Sequence, residues 1–194
     1  MKSFHWLILA FVTFIGTSVV QAAEELDSGT SESGKITWKV VDKGEGKVMI
    51  SEGDQAESAA TVLTTTVAAG NTKVFVSPDD FWIIVESGTG SLGFYLQVFQ
   101  RQKGLNYKLM EDMDLGEPVI RAAFKAAGKE AAADTLDHTY VRLLAWSADS
   151  GTVLIQVRGR GGKLQFGPYV VAYDLGKKTF SNDLTKFNAK AIRP

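Results

Sequence analysis

The chain contains no cysteine. That excludes a disulfide framework and a lipid-modified N-terminal cysteine. Histidine is almost as scarce, with only His5 and His138. A structural zinc site draws on several Cys or His ligands, so one within a single chain is disfavoured. A Ser–His–Asp triad would have to use His138, and no Gly-x-Ser-x-Gly elbow accompanies it. A charge excess of either sign is also missing. Twenty-one Lys and Arg oppose 22 Asp and Glu, for a formal charge of −1. Nucleic-acid binders show a basic excess, so the balance argues against that class. Long apolar runs are missing too. The longest, about 14 residues near the N-terminus, contains Thr, Gly and Ser, and falls short of the ~20 residues that span a bilayer.

That N-terminal stretch has the form of an export signal. Lys2 supplies a positive n-region, Leu7 to Val20 the apolar centre, and Val20-Gln21-Ala22 the small residues of a cleavage site before Glu24-Glu25. Cleavage is expected after about Ala22, giving a secreted or periplasmic chain with no membrane span. It would comprise residues 23–194, with a formal charge of −2 because Lys2 is lost and no acid with it. Such a length supports one domain with its own core. Residues 23–34 are acidic and rich in Ser and Gly, with no apolar period, and are read as a flexible arm. Residues 35–194 are read as one β-rich domain.

Within that domain one pattern is written twice. Ser77-Pro78-Asp79-Asp80 leads into Trp82-Ile83-Ile84-Val85, a Gly-rich break, and Tyr95-Leu96-Gln97-Val98-Phe99. Ser147-Ala148-Asp149-Ser150 leads into Thr152-Val153-Leu154-Ile155, a second Gly-rich break, and Tyr169-Val170-Val171-Ala172-Tyr173. Ser and Asp side chains bond backbone amides two residues on, which explains the opening turn. Repetition of turn, strand, Gly loop and strand speaks to architecture. Each copy predicts about four antiparallel strands. Upstream, Ile36–Val41 and Lys47–Ile50 flank a Gly-containing turn and predict a β-hairpin, and Ala60–Val67 predicts a further strand. Between the copies, Glu117-Pro118 is a good helix start. Val119, Ile120, Ala123, Phe124 and Ala127 then share one face. The helix should run to about 133, with Gly128 weakening or splitting it. A second short helix is expected at Asp183–Asn188.

The segment Leu143-Leu144-Ala145-Trp146-Ser147-Ala148-Asp149-Ser150-Gly151-Thr152-Val153-Leu154 resembles the opening of a WD-repeat-like β-propeller blade. Tyr173-Asp174-Leu175-Gly176-Lys177-Lys178 is similar to the strand and turn that follow in such blades. Phe75 to Val85 matches less fully. The resemblance covers segments 73–110 and 140–180, about half of the chain after the signal. It implies a module that binds partners. Propellers close with at least four blades, and this chain has room for two or three. The expected fold is therefore mainly β and antiparallel. It has two blade-like four-stranded units, an N-terminal β-hairpin and one inserted α-helix (about 117–133), arranged as an open propeller-like stack or a β-sandwich. Closing a ring would require self-association.

Four features bear on chemistry. Gly88-Thr89-Gly90-Ser91-Leu92-Gly93 satisfies a G-x-G-x-x-G pattern. A dinucleotide site needs a helix there, whereas Phe94–Phe99 reads as a strand, so a hairpin connection is expected. Arg158-Gly159-Arg160-Gly161-Gly162-Lys163 is the matching loop of the second copy, and its three cations suit a phosphate, a sulfated sugar or an acidic partner. Glu111-Asp112-Met113-Asp114 with Glu117 lacks EF-hand spacing, so no metal or other cofactor is expected. Trp38, Trp82 and Trp146 sit in apolar strands and read as core. The chain is thus expected to be a non-catalytic module contacting a protein or glycan in the envelope or outside the cell, and not nucleic acid. The contact residues would be Arg158, Arg160, Lys163 and Gly90. The alternatives are a small hydrolase using His138, oriented by Asp134 or Asp137, and a carbohydrate binder using tryptophan.

Overall fold

The structure, a computed structural model, describes residues 24–42, 47–53, 61–64, 72–88, 94–113, 115–181, 184 and 192–193. The stretch expected to be an export signal, Gly90 and all but one residue of the second expected helix lie outside them.

Three antiparallel sheets form, each a simple meander. The first joins β1 (Glu24–Thr30), β2 (Ile36–Asp42), β3 (Lys47–Glu52) and β4 (Thr61–Thr64). The second joins β5 (Thr72–Val76), β6 (Trp82–Gly88), β7 (Phe94–Arg101) and β8 (Tyr107–Leu109). The third joins β9 (His138–Trp146), β10 (Thr152–Gly161), β11 (Leu164–Asp174) and β12 (Thr179–Ser181), with β13 (Ile192–Arg193) also pairing on β11. The expected mainly β, antiparallel architecture is what forms. The N-terminal hairpin is the centre of a full four-stranded sheet. Residues 24–30, read as part of a flexible arm, are an edge strand paired with β2 from Glu24 opposite Asp42 to Thr30 opposite Thr37. That strand is held by its backbone, and Leu26 remains exposed, so no apolar alternation marks it.

The sheets stack face to face, and the second is buried on both sides. All seven residues of β6 are buried, which explains its unbroken apolar sequence: a strand covered on both faces has no polar side to alternate with. Ile83 and Val85, with Phe99 and Tyr107, pack on Ile36, Val40, Val48, Ile50 and Leu63 of the first sheet. Trp82 and Ile84, with Leu96 and Val98, pack toward Val141, Leu143, Val153 and Ile155 of the third. Alternation along each strand sends successive side chains to opposite cores.

One turn recurs three times. Ser77 N donates to Trp82 O (2.9 Å), Asp80 N to Ser77 O (2.9 Å), and Trp82 N to Ser77 Oγ (2.9 Å). Ser147 makes the same three contacts with Thr152 and Ser150, at 2.8, 2.9 and 2.9 Å. Ser31 makes them with Ile36 and Gly34, at 2.8, 2.9 and 3.1 Å. The fourth residue of each turn, Gly34, Asp80 or Ser150, has positive φ of 74°, 59° and 59°. The turns are linked in series. Ser33 Oγ donates to Asp80 Oδ2 (2.6 Å), and Asp79 N donates to Ser150 Oγ (3.1 Å). Tyr107 Oη anchors the middle turn by donating to Asp80 O (2.7 Å). Burial outweighs the charge of Arg101 and pushes this phenol up to about 12. The second strand of every sheet therefore starts at one joined end of the stack.

The helix α1 (Glu117–Ala126) fills the space below the third sheet. Pro118 lies in its first turn and Glu117 pairs with Arg121 at 2.8 Å. Val119, Ala123 and Phe124 are buried. Gly128, at φ 67°, ends the helix, and a 3-10 turn over Glu130–Thr135 follows. β10 and β11 are ten and eleven residues long, against seven and eight for β6 and β7. The inner face of their extra length is covered by α1 and the 3-10 turn, with Phe124 stacked on Phe166 at 3.7 Å between centroids.

Candidate functional site

The stretch Arg158-Gly159-Arg160-Gly161 is strand, not loop. It completes β10, and only Gly162 and Lys163 form the turn to β11. The alternation has a steric cause. Gly159 and Gly161 face inward, where residues 135–136 cross the strand. A Cβ on Gly159 would lie 2.6 Å from Leu136 Cδ1, and one on Gly161 would meet the Thr135 carbonyl oxygen. Arg158 and Arg160 consequently face outward together, about 7 Å apart along the strand.

Neighbouring strands extend this face. Arg158 lies opposite Tyr140, and Gln156 opposite Arg142, on β9. Arg160 lies opposite Gln165 on β11 and opposite His138 on β9. A register shift between Val157 and Gly159, with Gly167-Pro168 as the extra residues, bends β11 away. The result is a groove of about 390 Å³ on the outer face of the last sheet. Its lining includes Tyr140, Arg142, Gln156, Arg158, Arg160 and Gln165, and, among the described residues, no carboxylate. All three arginines are exposed. Among the described residues, neither Arg158 nor Arg160 forms an ion pair. Guanidinium stays protonated and presents donors only. Arg158 and Arg160, two such groups on one face of the same strand, repel one another, a cost that a bound anion would offset.

Behind β9 lies Glu86 of β6. It is 2 % exposed and accepts from the amide of Leu143 on β9 (3.2 Å). Burial pushes its carboxyl up, against that amide bond and the charges of Lys73 and Arg142.

The structure thus brings together Arg158 and Arg160. Lys163 lies in the adjacent turn, outside the groove lining. β6 ends at Gly88 and β10 at Gly161, both away from the joined turns; Gly90 itself is outside the described residues. Arg142, Tyr140, Gln156 and Gln165 were not singled out from sequence. Period-two spacing in Tyr140-x-Arg142 and Gln156-x-Arg158-x-Arg160 is the trace they leave.

The carboxylates considered for His138 make other contacts. Asp134 pairs with Arg121 (3.0 Å), and Asp137 accepts from the amide of Gly162 (3.4 Å). Asp112 pairs with Lys178, and among the described residues no three His, Asp or Glu side chains converge. Trp82 is 8 % exposed, while Trp38 and Trp146 are half-buried against the two cores. No family model matches the chain, and no curated protein matches it.

Proposed function

We propose that this chain is an exported, non-catalytic binding module, an open stack of blade-like sheets similar to those of WD-repeat type, that holds an anionic group in the groove of its last sheet. One observation carries the reading: three outward arginines share a concave surface with no acid in its lining among the described residues. The threefold turn supports the blade comparison, since each copy repeats the same bonds at the same place. A surface of this kind suits recognition, because its donors are fixed by strand register.

The test is calorimetric titration with inorganic phosphate. Wild type is expected to bind, and an Arg158→Gln/Arg160→Gln variant to lose at least tenfold in affinity while melting as a folded protein. Equal binding by both proteins rules out the groove.

A further inference from the structure

We infer that the ligand held in this groove is an acidic sugar, a pyranose carrying a carboxylate; this rests on the anion-binding reading above. The lining is chemically mixed. Arg142, Arg158 and Arg160 donate only, as an oxyanion requires. Gln156, Gln165 and the Tyr140 hydroxyl both donate and accept. A bare phosphate or sulfate needs donors alone and makes no use of the amide oxygens of Gln156 and Gln165. A sugar acid supplies an anion for the guanidiniums and neutral hydroxyls for the amides and phenol. Its carboxylate matches the planar, two-pronged guanidinium.

Size points the same way. A volume of about 390 Å³ lies at the small-ligand end of binding cavities, far larger than a single oxyanion. The flat parts of the floor also suit a ring. They are backbone, at Gly159 and Gly167, where no side chain rises into the groove.

An acidic peptide fits less well. Peptides that bind sheets in extended form gain their affinity by pairing with an open edge. Here the floor is the face of β10, whose backbone is already paired on both sides by β9 and β11, and on β9, the edge strand, the amide of Leu143 is already taken by Glu86. Such a peptide would be left with unpartnered amides.

The experiment is calorimetric titration of the full mature chain against glucuronate, glucose, inorganic phosphate, a hexaglutamate peptide and a glucuronate-containing tetrasaccharide. The expected result is glucuronate binding at least tenfold tighter than both phosphate and glucose. Gln156→Ala/Gln165→Ala should bring glucuronate down to the level of phosphate without changing phosphate binding. A tetrasaccharide tighter than glucuronate identifies a glycan as the source, and equal affinity identifies the free sugar acid. Phosphate binding as tightly as glucuronate, or hexaglutamate binding tighter, overturns the sugar assignment and leaves the anion site standing. Absence of binding by every probe removes both.

Discussion

Replacing Ser31, Ser77 and Ser147 by alanine, one at a time, should destabilise the protein in a fixed order. Each serine accepts from the amide that opens the second strand of its sheet, but the three sites differ in access to water. Ser77 is fully buried, and so is the amide of Trp82 that it serves. Its hydroxyl also donates to Asp79 Oδ1 (2.6 Å). Losing it strands a buried amide and removes one of the bonds that hold the Asp79 carboxyl down against burial. An unsatisfied buried group costs about 1–3 kcal/mol, and with the second bond lost the upper part of that range, about 2–3 kcal/mol, is expected. Ser31 is 8 % exposed, serves the buried amide of Ile36 at 3.1 Å, and pairs with the hydroxyl of Ser33. Neutral partners and a longer bond set its cost at about 1–2 kcal/mol. Ser147 is half-exposed, so water replaces the lost bonds and about 0.5–1 kcal/mol remains. Guanidinium denaturation followed by tryptophan fluorescence reads these differences as midpoint shifts at constant slope. If Ser31→Ala falls within the ±0.5 kcal/mol typical of neutral surface changes, the first sheet is not an equivalent unit. If Ser147→Ala costs more than Ser77→Ala, burial is not what sets the order.

Further expectations follow from the groove and the sheet junction. Gly161→Ala should cost about 2–4 kcal/mol, because backbone at Thr135 must move; Gly159→Ala should cost about 1–2 kcal/mol, since only the end of the Leu136 side chain is met. Equal costs in chemical denaturation would contradict the crossing of residues 135–136 over β10. Arg158→Gln/Arg160→Gln should leave stability unchanged or raise it by about 0.2–1 kcal/mol through relieved repulsion, and a large loss would show that these arginines are structural. The Glu86 carboxyl is raised in the fold, so the folded protein binds its proton more readily. Its contribution favours folding increasingly as pH falls from neutral through the raised value toward its ordinary 4.5. Asp79, Asp149 and Asp174 are lowered, so theirs is present above 3.8 and lost as pH falls below it. Wild type should therefore gain on Glu86→Gln as pH drops from 7 to 5; a difference constant with pH would show that Glu86 is not the group titrating.

Much of the fold is written in local pattern. The apolar run Trp82–Val85 marked a strand because both its faces are buried, and Glu117-Pro118 with Gly128 marked a helix and its end. The first unit was harder to see. Ser31-Glu32-Ser33-Gly34 shares little lettering with Ser77-Pro78-Asp79-Asp80, yet it makes the same turn. What the turn requires is an oxygen at its first position and tolerance of positive φ at its fourth, and several residues meet each need. Its first strand is a polar edge whose pairing lies in the backbone. The groove was half legible. Arg158 and Arg160 stood out as charge among glycines, but those glycines read as loop when they are clearance for a crossing segment. Arg142 and Tyr140 join the site only through the β9–β10 register, which no local pattern specifies.

Where an anion binds is read directly by amide chemical shifts recorded while inorganic phosphate is added to residues 23–194. Shifts confined to residues 140–142, 156–160 and 165–167, and abolished in Arg158→Gln/Arg160→Gln, are the expected result. Shifts at the joined serine turns, or none at all, would contradict a recognition surface on the last sheet.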